Sequence, residues 1–182
     1  TFDAESSSII DVQRFPSDAG CDPAEALAKV LDLARRWIAG RGGPSAAAGV
    51  SIGGMFDVES GCMRHAPHLP KWDGFPIVTT LREALQVPVF AENDANACAL
   101  AEWQHGAGRG CRHLIFLTFG TGLGGGFILN GQLYRGACGL AGEVGQIRGA
   151  EDGPPLRNKP LCLETYGSGA GMAMLAGTAR RR

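Results

Sequence analysis

The chain has no long apolar run, no paired cysteines and no basic stripe, and each absence excludes a class of function. None of its apolar runs approaches the roughly 20 residues that cross a bilayer. The start, Thr1-Phe2-Asp3-Ala4-Glu5, shows no charged-then-apolar signal pattern. With a net charge of −1 and basic residues clustered only at Arg180-Arg181-Arg182, the electrostatic footprint of a nucleic-acid binder is missing. The arginine run reads as a solvated end. The six cysteines, Cys21, Cys62, Cys98, Cys111, Cys138 and Cys162, form no C-x-x-C pair and show neither zinc-site spacing nor a secreted disulfide framework. A reducing cytoplasm is the expected home. What is present is a globular composition: 182 residues, 45% of them hydrophobic, suit one modest domain or parts of two.

Ile9 to Phe15 reads as a short strand. Asp22 followed by Pro23 is an N-cap with proline at the first helical position, predicting a helix to about Ala39 whose apolar face is Leu27, Val30, Leu31, Ala34 and Ile38. Gly40 to Ser45 ends it, Ala46 to Ile52 reads as a buried strand, and Gly53-Gly54 allows a tight turn beyond it. This is a β-α-β unit. A loop rich in Pro, His and Gly is expected from Asp57 to Pro76, after which Thr80 and Glu83 have capping-box spacing before a short helix near Leu85. Val87 to Ala91 is the next strand and Asp94 to Gly106 the next helix. The pattern then changes. Leu114 to Phe119 and Gly125 to Leu129 are apolar runs, Asn130-Gly131 signals a two-residue hairpin turn into Gln132 to Tyr134, and a helical tail is expected at Ser168 to Arg180. Three sequential strands in place of alternation predict a second domain from about Arg112, dividing the chain into 1–111 and 112–182.

Glu92-Asn93-Asp94-Ala95-Asn96 places a carboxylate and a carboxamide side by side where a strand meets a helix, the usual position of chemistry in an α/β fold. Asp94 suits a general base that accepts a hydroxyl proton, with Asn93 orienting that hydroxyl. The same position suits an ordinary N-cap, and both roles can hold at once. Gly120-Thr121-Gly122-Leu123-Gly124-Gly125-Gly126 contains G-x-G-x-x-G, but a strand rather than a helix follows, which excludes the dinucleotide-binding reading. A Gly-Thr-Gly turn between strands can hold phosphate through converging backbone N–H groups and the Thr121 hydroxyl. It can equally be a tight hairpin, although five glycines in seven residues exceed what a turn needs. Glu143, in Gly139-Leu140-Ala141-Gly142-Glu143-Val144-Gly145-Gln146, and Glu164 are carboxylates that could accept sugar hydroxyls, or plain surface residues. His65, His68, His105 and His113 are scattered and carry no pattern.

Taken in order, Glu92 to Glu102, the Gly120–Gly126 run, Asn130-Gly131 and Gly142-Glu143-Val144-Gly145 resemble the ROK family of bacterial sugar kinases and sugar-responsive repressors. Gly49 to Asp57 resembles its sugar-contacting loop and Ala66 to Trp72 the segment after it, so the likeness covers nearly the whole chain. The resemblance implies an actin-like, ribonuclease-H-like α/β fold, with the first lobe lacking its initial hairpin and only the start of the second lobe present. It implies Asp94 as the base for a hexose hydroxyl, usually the 6-OH. Asn93, Glu143 and Glu164 would bind other hydroxyls, Gly54 would contact the sugar from the first lobe, and Gly120, Thr121 and Gly122 would hold ATP phosphates, screened by Mg2+. Family members are often homodimers.

The chain departs from the family pattern in two respects. Many members have His where Gln146 stands, followed by a cysteine-rich zinc segment; here Asp152 to Cys162 retains one cysteine, and one soft ligand cannot hold a four-coordinate zinc. No structural zinc is expected, with Gln146 donating to the sugar in place of the His. An Asp-x-Gly-Gly-Thr phosphate loop, which the family carries ahead of the position of Thr1, is not found, and the chain stops at Arg182 before the rest of the second lobe. This stretch alone is therefore expected to be inactive. The leading expectation is an ATP-dependent kinase for glucose, fructose or an N-acetylated hexosamine, with no nucleic-acid or membrane partner. The alternative is a ROK sugar-sensing repressor whose DNA-binding domain would precede Thr1. Loss of the zinc motif favours the kinase.

Overall fold

A helix that starts on Asp-Pro shows how locally this chain specifies its elements. The computed structural model describes residues 2–3, 6, 8–16, 20–40, 46–66, 69–149 and 162–179. It forms two compact units, Thr1–Asn93 and Asp94–Arg182. In the first unit, β1 (Phe2–Asp3) pairs antiparallel with β2 (Ser8–Ile9). The strand expected from Ile9 to Phe15 stops there: Ile10, Val12 and Phe15 are exposed and have no partner ladder among the described residues. Helix α1 (Pro23–Gly40) begins as Asp-Pro dictates, the Ala24 N–H donating to Asp22 Oδ1 at 2.9 Å, and buries Leu27.

Strand β3 (Ala48–Ile52) leads through Gly53-Gly54 into a hairpin of β4 (Met55–Asp57) and β5 (Cys62–His65). This hairpin replaces part of the loop expected from Asp57 to Pro76. Helix α2 (Ile77–Leu85) starts three residues before Thr80, so Thr80 is no cap; its hydroxyl donates to the Pro76 carbonyl one turn back, at 2.9 Å. Strand β6 (Val89–Asn93) then pairs parallel with β3, Ile52 opposite Asn93. A parallel pair needs a crossover, which the β4–β5 hairpin and α2 supply. Leu27, Phe56, Met63, Trp72, Ile77, Leu81 and Val89 pack as one core beneath it.

The second unit opens with α3 (Asp94–His105), which packs on an antiparallel sheet of β7 (Leu114–Phe119), β8 (Leu123–Leu129) and β9 (Gln132–Tyr134). The units therefore part at Asp94, ahead of the boundary expected near Arg112, because this helix belongs with the sheet that follows it. Asn130 and Gly131 both have positive φ, 54° and 75°, the conformation a two-residue hairpin turn demands. The helical tail divides into α4 (Leu163–Gly167) and α5 (Gly169–Ala179), with Ser168 Oγ capping the second by accepting the Gly171 N–H at 3.0 Å. Arg180 lies outside the described residues. Ile115, Leu117 and Phe119 on β7 are exposed. No described helix is long and apolar enough to cross a membrane.

The β4–β5 hairpin is clasped by Arg64, whose Nη2 donates to Asp57 Oδ2 at 2.7 Å and whose Nε donates to the same oxygen at 3.2 Å. That guanidinium, aided by hydrogen bonds to Ser60, lowers the Asp57 pKa from its ordinary 3.8 to about 2. A carboxylate with a depressed folded pKa stabilises above its unfolded value and loses that contribution as pH falls through the folded one. Asp57→Asn is accordingly expected to flatten the acid-unfolding curve between pH 3.8 and about 2, as followed by circular dichroism, while changing little of its course at higher pH.

Candidate active site

In the first unit, β6 delivers Asn93 to the Gly53-Gly54 turn. The Asn93 side-chain amide donates to the Gly54 carbonyl at 3.0 Å, and its backbone N–H donates to Glu92 Oε1 at 2.9 Å. Gly54 has φ +105°, and a Cβ there would lie 2.7 Å from the His65 carbonyl. Glycine is thus required twice over, by conformation and by space. Gly54 and Asn93, expected to share a ligand, are in direct contact.

In the second unit, exposed Asp94 opens α3, its Oδ1 accepting the Ala95 N–H at 2.9 Å. One oxygen thus serves the helix terminus, and Oδ2 remains to meet a ligand. The helix-start reading of this residue is thereby met.

The glycine run has a different explanation from the one its composition suggests. A Cβ at Gly126 would lie 2.6 Å from the Ala95 carbonyl and 2.7 Å from Ala99 Cβ, so the α3 backbone rests directly on β8. A Cβ at Gly125 would lie 2.9 Å from the Phe116 carbonyl, and one at Gly142 would overlap the Gly125 carbonyl. A Cβ at Gly124 would lie 3.9 Å from Ala95 Cβ. Counting five glycines as a phosphate signal therefore overstated that signal: Gly125 and Gly126 are explained by packing. The close approach also sets the first turn of α3 beside the end of β8 that carries the Gly120–Gly122 turn.

That turn is held from both sides. The Gly120 N–H donates to the Gly122 carbonyl at 3.0 Å, and the Gly120 carbonyl accepts the Gly169 N–H, at the start of α5, at 2.8 Å. The Leu123 N–H donates to Glu164 Oε2 at 3.1 Å, and a Cβ at Gly122 would lie 2.9 Å from the same oxygen. One of the amides expected to converge on an anion, that of Gly120, is therefore engaged within the protein, as is the neighbouring Leu123 amide, and the exposed Thr121 forms the apex. Nothing crowds Gly120, where a Cβ would find no atom within 4 Å. The remaining fit to a phosphate is narrower than a full nest: the Thr121 hydroxyl and the amides at the apex.

Exposed Glu143 and Gln146 bracket a single 3-10 turn, Val144–Gln146, the Gln146 N–H donating to the Glu143 carbonyl at 3.0 Å. A Cβ on Gly145 would overlap the Leu123 carbonyl and lie 3.3 Å from Glu164 Cβ. Glu143, Gln146, Glu164 and Gly122 are thereby gathered around Leu123. Sequence reasoning missed that Glu164 also holds the turn, since residues 123 and 164 are joined only by folding. It also missed the cap at Ser168 and the tie through Gly169. The segment read as a lost zinc motif, residues 152–161, lies outside the described residues; Cys162, which follows it, is buried with Sγ 3.7 Å from Thr165 Oγ1.

With this geometry in place, comparison with known proteins assigns the family. The ROK family profile matches residues 3–182, and the chain belongs to the ROK family, with its actin-like ATPase fold. Over 132 residues it is 39% identical to a glucokinase of Halalkalibacterium halodurans, covering 70% of this chain and 40% of that protein. The structure of a ROK family glucokinase from Streptomyces griseus, in complex with glucose and AMPPNP, superposes with a TM-score of 0.68 at 34% identity, covering 85% of this chain and 50% of that one. A xylose repressor of Caldicellulosiruptor bescii is 41% identical over 97 residues, 53% of this chain and 24% of the repressor. The chain spans about half or less of the length of these relatives.

Removing the Glu164 carboxylate strands the Leu123 N–H beside a buried side chain. Glu164→Ala is expected to cost about 1–3 kcal/mol, the usual penalty of an unsatisfied buried donor. Glu164→Gln keeps an acceptor oxygen and should cost less than half as much, both read from urea denaturation midpoints.

Proposed function

We propose that the whole protein is an ATP-dependent kinase of a hexose or N-acetylhexosamine, acting on its 6-hydroxyl. The observation that carries this reading is Asp94: a carboxylate fixed by its own helix start, packed through α3 onto the strand that begins at the Gly120–Gly122 turn. The glucokinase relative and the glucokinase structure with glucose and AMPPNP support the sugar and the nucleotide as substrates.

Asp94 accepts the proton as the sugar oxygen bonds to the γ-phosphorus, and the bond from that phosphorus to the β-phosphate bridging oxygen breaks, releasing ADP. Asn93 and Gly54 orient the sugar, while Glu143, Gln146 and Glu164 accept or donate at its remaining hydroxyls. Gly120, Thr121 and Gly122 steady the phosphates, chiefly through the Thr121 hydroxyl and the apex amides. Mg2+, when bound with the nucleotide, neutralises charge on the phosphates. Little covalent work falls to the protein, so alignment carries most of the rate. A zinc-free sugar pocket, cytoplasmic location and a homodimer complete the reading, and residues 1–182 alone are expected to be inactive. The xylose repressor relative supports a second reading, a sugar-sensing regulator that binds sugar at the same groups without transferring phosphate.

The two readings separate on one substitution. In the whole protein, Asp94→Asn is expected to lower the rate of sugar-dependent ADP formation by about 10²- to 10⁴-fold, while calorimetry still detects sugar binding. Turnover within a few-fold of wild type removes Asp94 as the base, and no sugar-dependent ADP formation by the wild-type protein favours the regulator.

A further inference from the structure

The wall behind the Gly53-Gly54 turn is held by more than its own hairpin, in which His65 pairs with Met55. It consists of the last residue of β5 and the one after it, His65 and Ala66: a Cβ on Gly54 would lie 2.7 Å from the His65 carbonyl and 3.0 Å from Ala66 Cα. Ala66 is buried, and its N–H points out of the hairpin to Asp73 Oδ1 at 3.0 Å. The other oxygen, Oδ2, stands 3.5 Å from His65 Nδ1. One carboxylate therefore holds the Ala66 backbone and faces the His65 ring.

Asp73 is itself placed by the chain around it. The Gly74 N–H donates to the Met63 carbonyl at 2.7 Å, and the Met63 N–H donates to the Phe75 carbonyl at 3.2 Å, which lays the segment along β5. Trp72, buried beneath, meets Phe75 edge-on with ring centroids 5.6 Å apart. The resulting relay runs from Asp73 to His65 and Ala66, by contact to Gly54, and from the Gly54 carbonyl to the Asn93 amide.

We propose that Asp73 is a positioning residue for the sugar: it touches no substrate, and it sets where Gly54 and Asn93 stand by fixing the backbone they rest on. This rests on the reading of Gly54 and Asn93 as sugar contacts. The structure makes the role selective, because the relay reaches Asn93 and includes no residue of the Gly120–Gly122 turn.

In the whole protein, Asp73→Ala and the milder Asp73→Ser, whose hydroxyl is too short to reach Ala66, are expected to raise the glucose KM and the calorimetric glucose Kd by about tenfold, as displaced binding groups do. The ATP KM and kcat should stay within about twofold. Asp73→Asn, which keeps an oxygen for the Ala66 N–H, should restore glucose affinity to within about twofold of wild type. A glucose KM unchanged in Asp73→Ser, or glucose and ATP KM rising together, overturns the proposal while leaving the kinase reading intact. A wild-type protein that binds no hexose overturns both.

Discussion

The contact on which the second unit's geometry depends is backbone against backbone: α3 lies on β8 where Gly126 leaves no side chain between them. Helices usually stand off a sheet by the thickness of two side-chain layers. Here Ala95 and Ala99 on the helix and glycine on the strand remove both layers at one point, and the first turn of α3 is drawn down beside the turn-bearing end of β8. Asp94, the residue that opens that helix, takes its position from this approach. On the proposed reading of Asp94 as a base, this fixed position supplies the pre-organisation that proton transfer requires.

Around the same strand the remaining polar groups are arranged by equally close fits. Gly145 lets the turn bearing Glu143 and Gln146 sit against Leu123, and Gly122 admits the Glu164 carboxylate to the Leu123 amide. Glu164 consequently spends one oxygen on the protein and has one to offer a ligand, which ties this carboxylate to the geometry of the Gly120–Gly122 turn. In the first unit the corresponding economy is at Gly54, whose carbonyl holds Asn93 and whose lack of a side chain admits the His65–Ala66 wall.

Features with a local cause were legible in the sequence. Asp22-Pro23 started a helix, Asn130-Gly131 made a hairpin turn with both residues at positive φ, and Asp94 opened a helix directly after a strand, each because the residue types constrain their own backbone. What stayed hidden was decided by partners distant in sequence. The Pro-, His- and Gly-rich stretch concealed the β4–β5 hairpin, which is stabilised by Arg64 on Asp57 and by packing of Phe56 and Met63 into the core. Thr80 had the spacing of a cap, yet Pro76 had already begun the helix. Counting glycines suggested one ligand, whereas Gly125 and Gly126 answer to Phe116, Ala95 and Ala99.

The dependence of the site on helix-to-strand contact is tested most directly at Gly126 in the whole protein. Gly126→Ala places a methyl group where the Ala95 carbonyl and Ala99 Cβ now lie, and overpacking of this kind costs about 1–3 kcal/mol. If α3 positions the base, this substitution lowers kcat for sugar phosphorylation by at least about tenfold in protein that is still folded, because Asp94 moves with its helix. A folded Gly126→Ala protein with wild-type kcat and an unchanged unfolding midpoint would contradict the account.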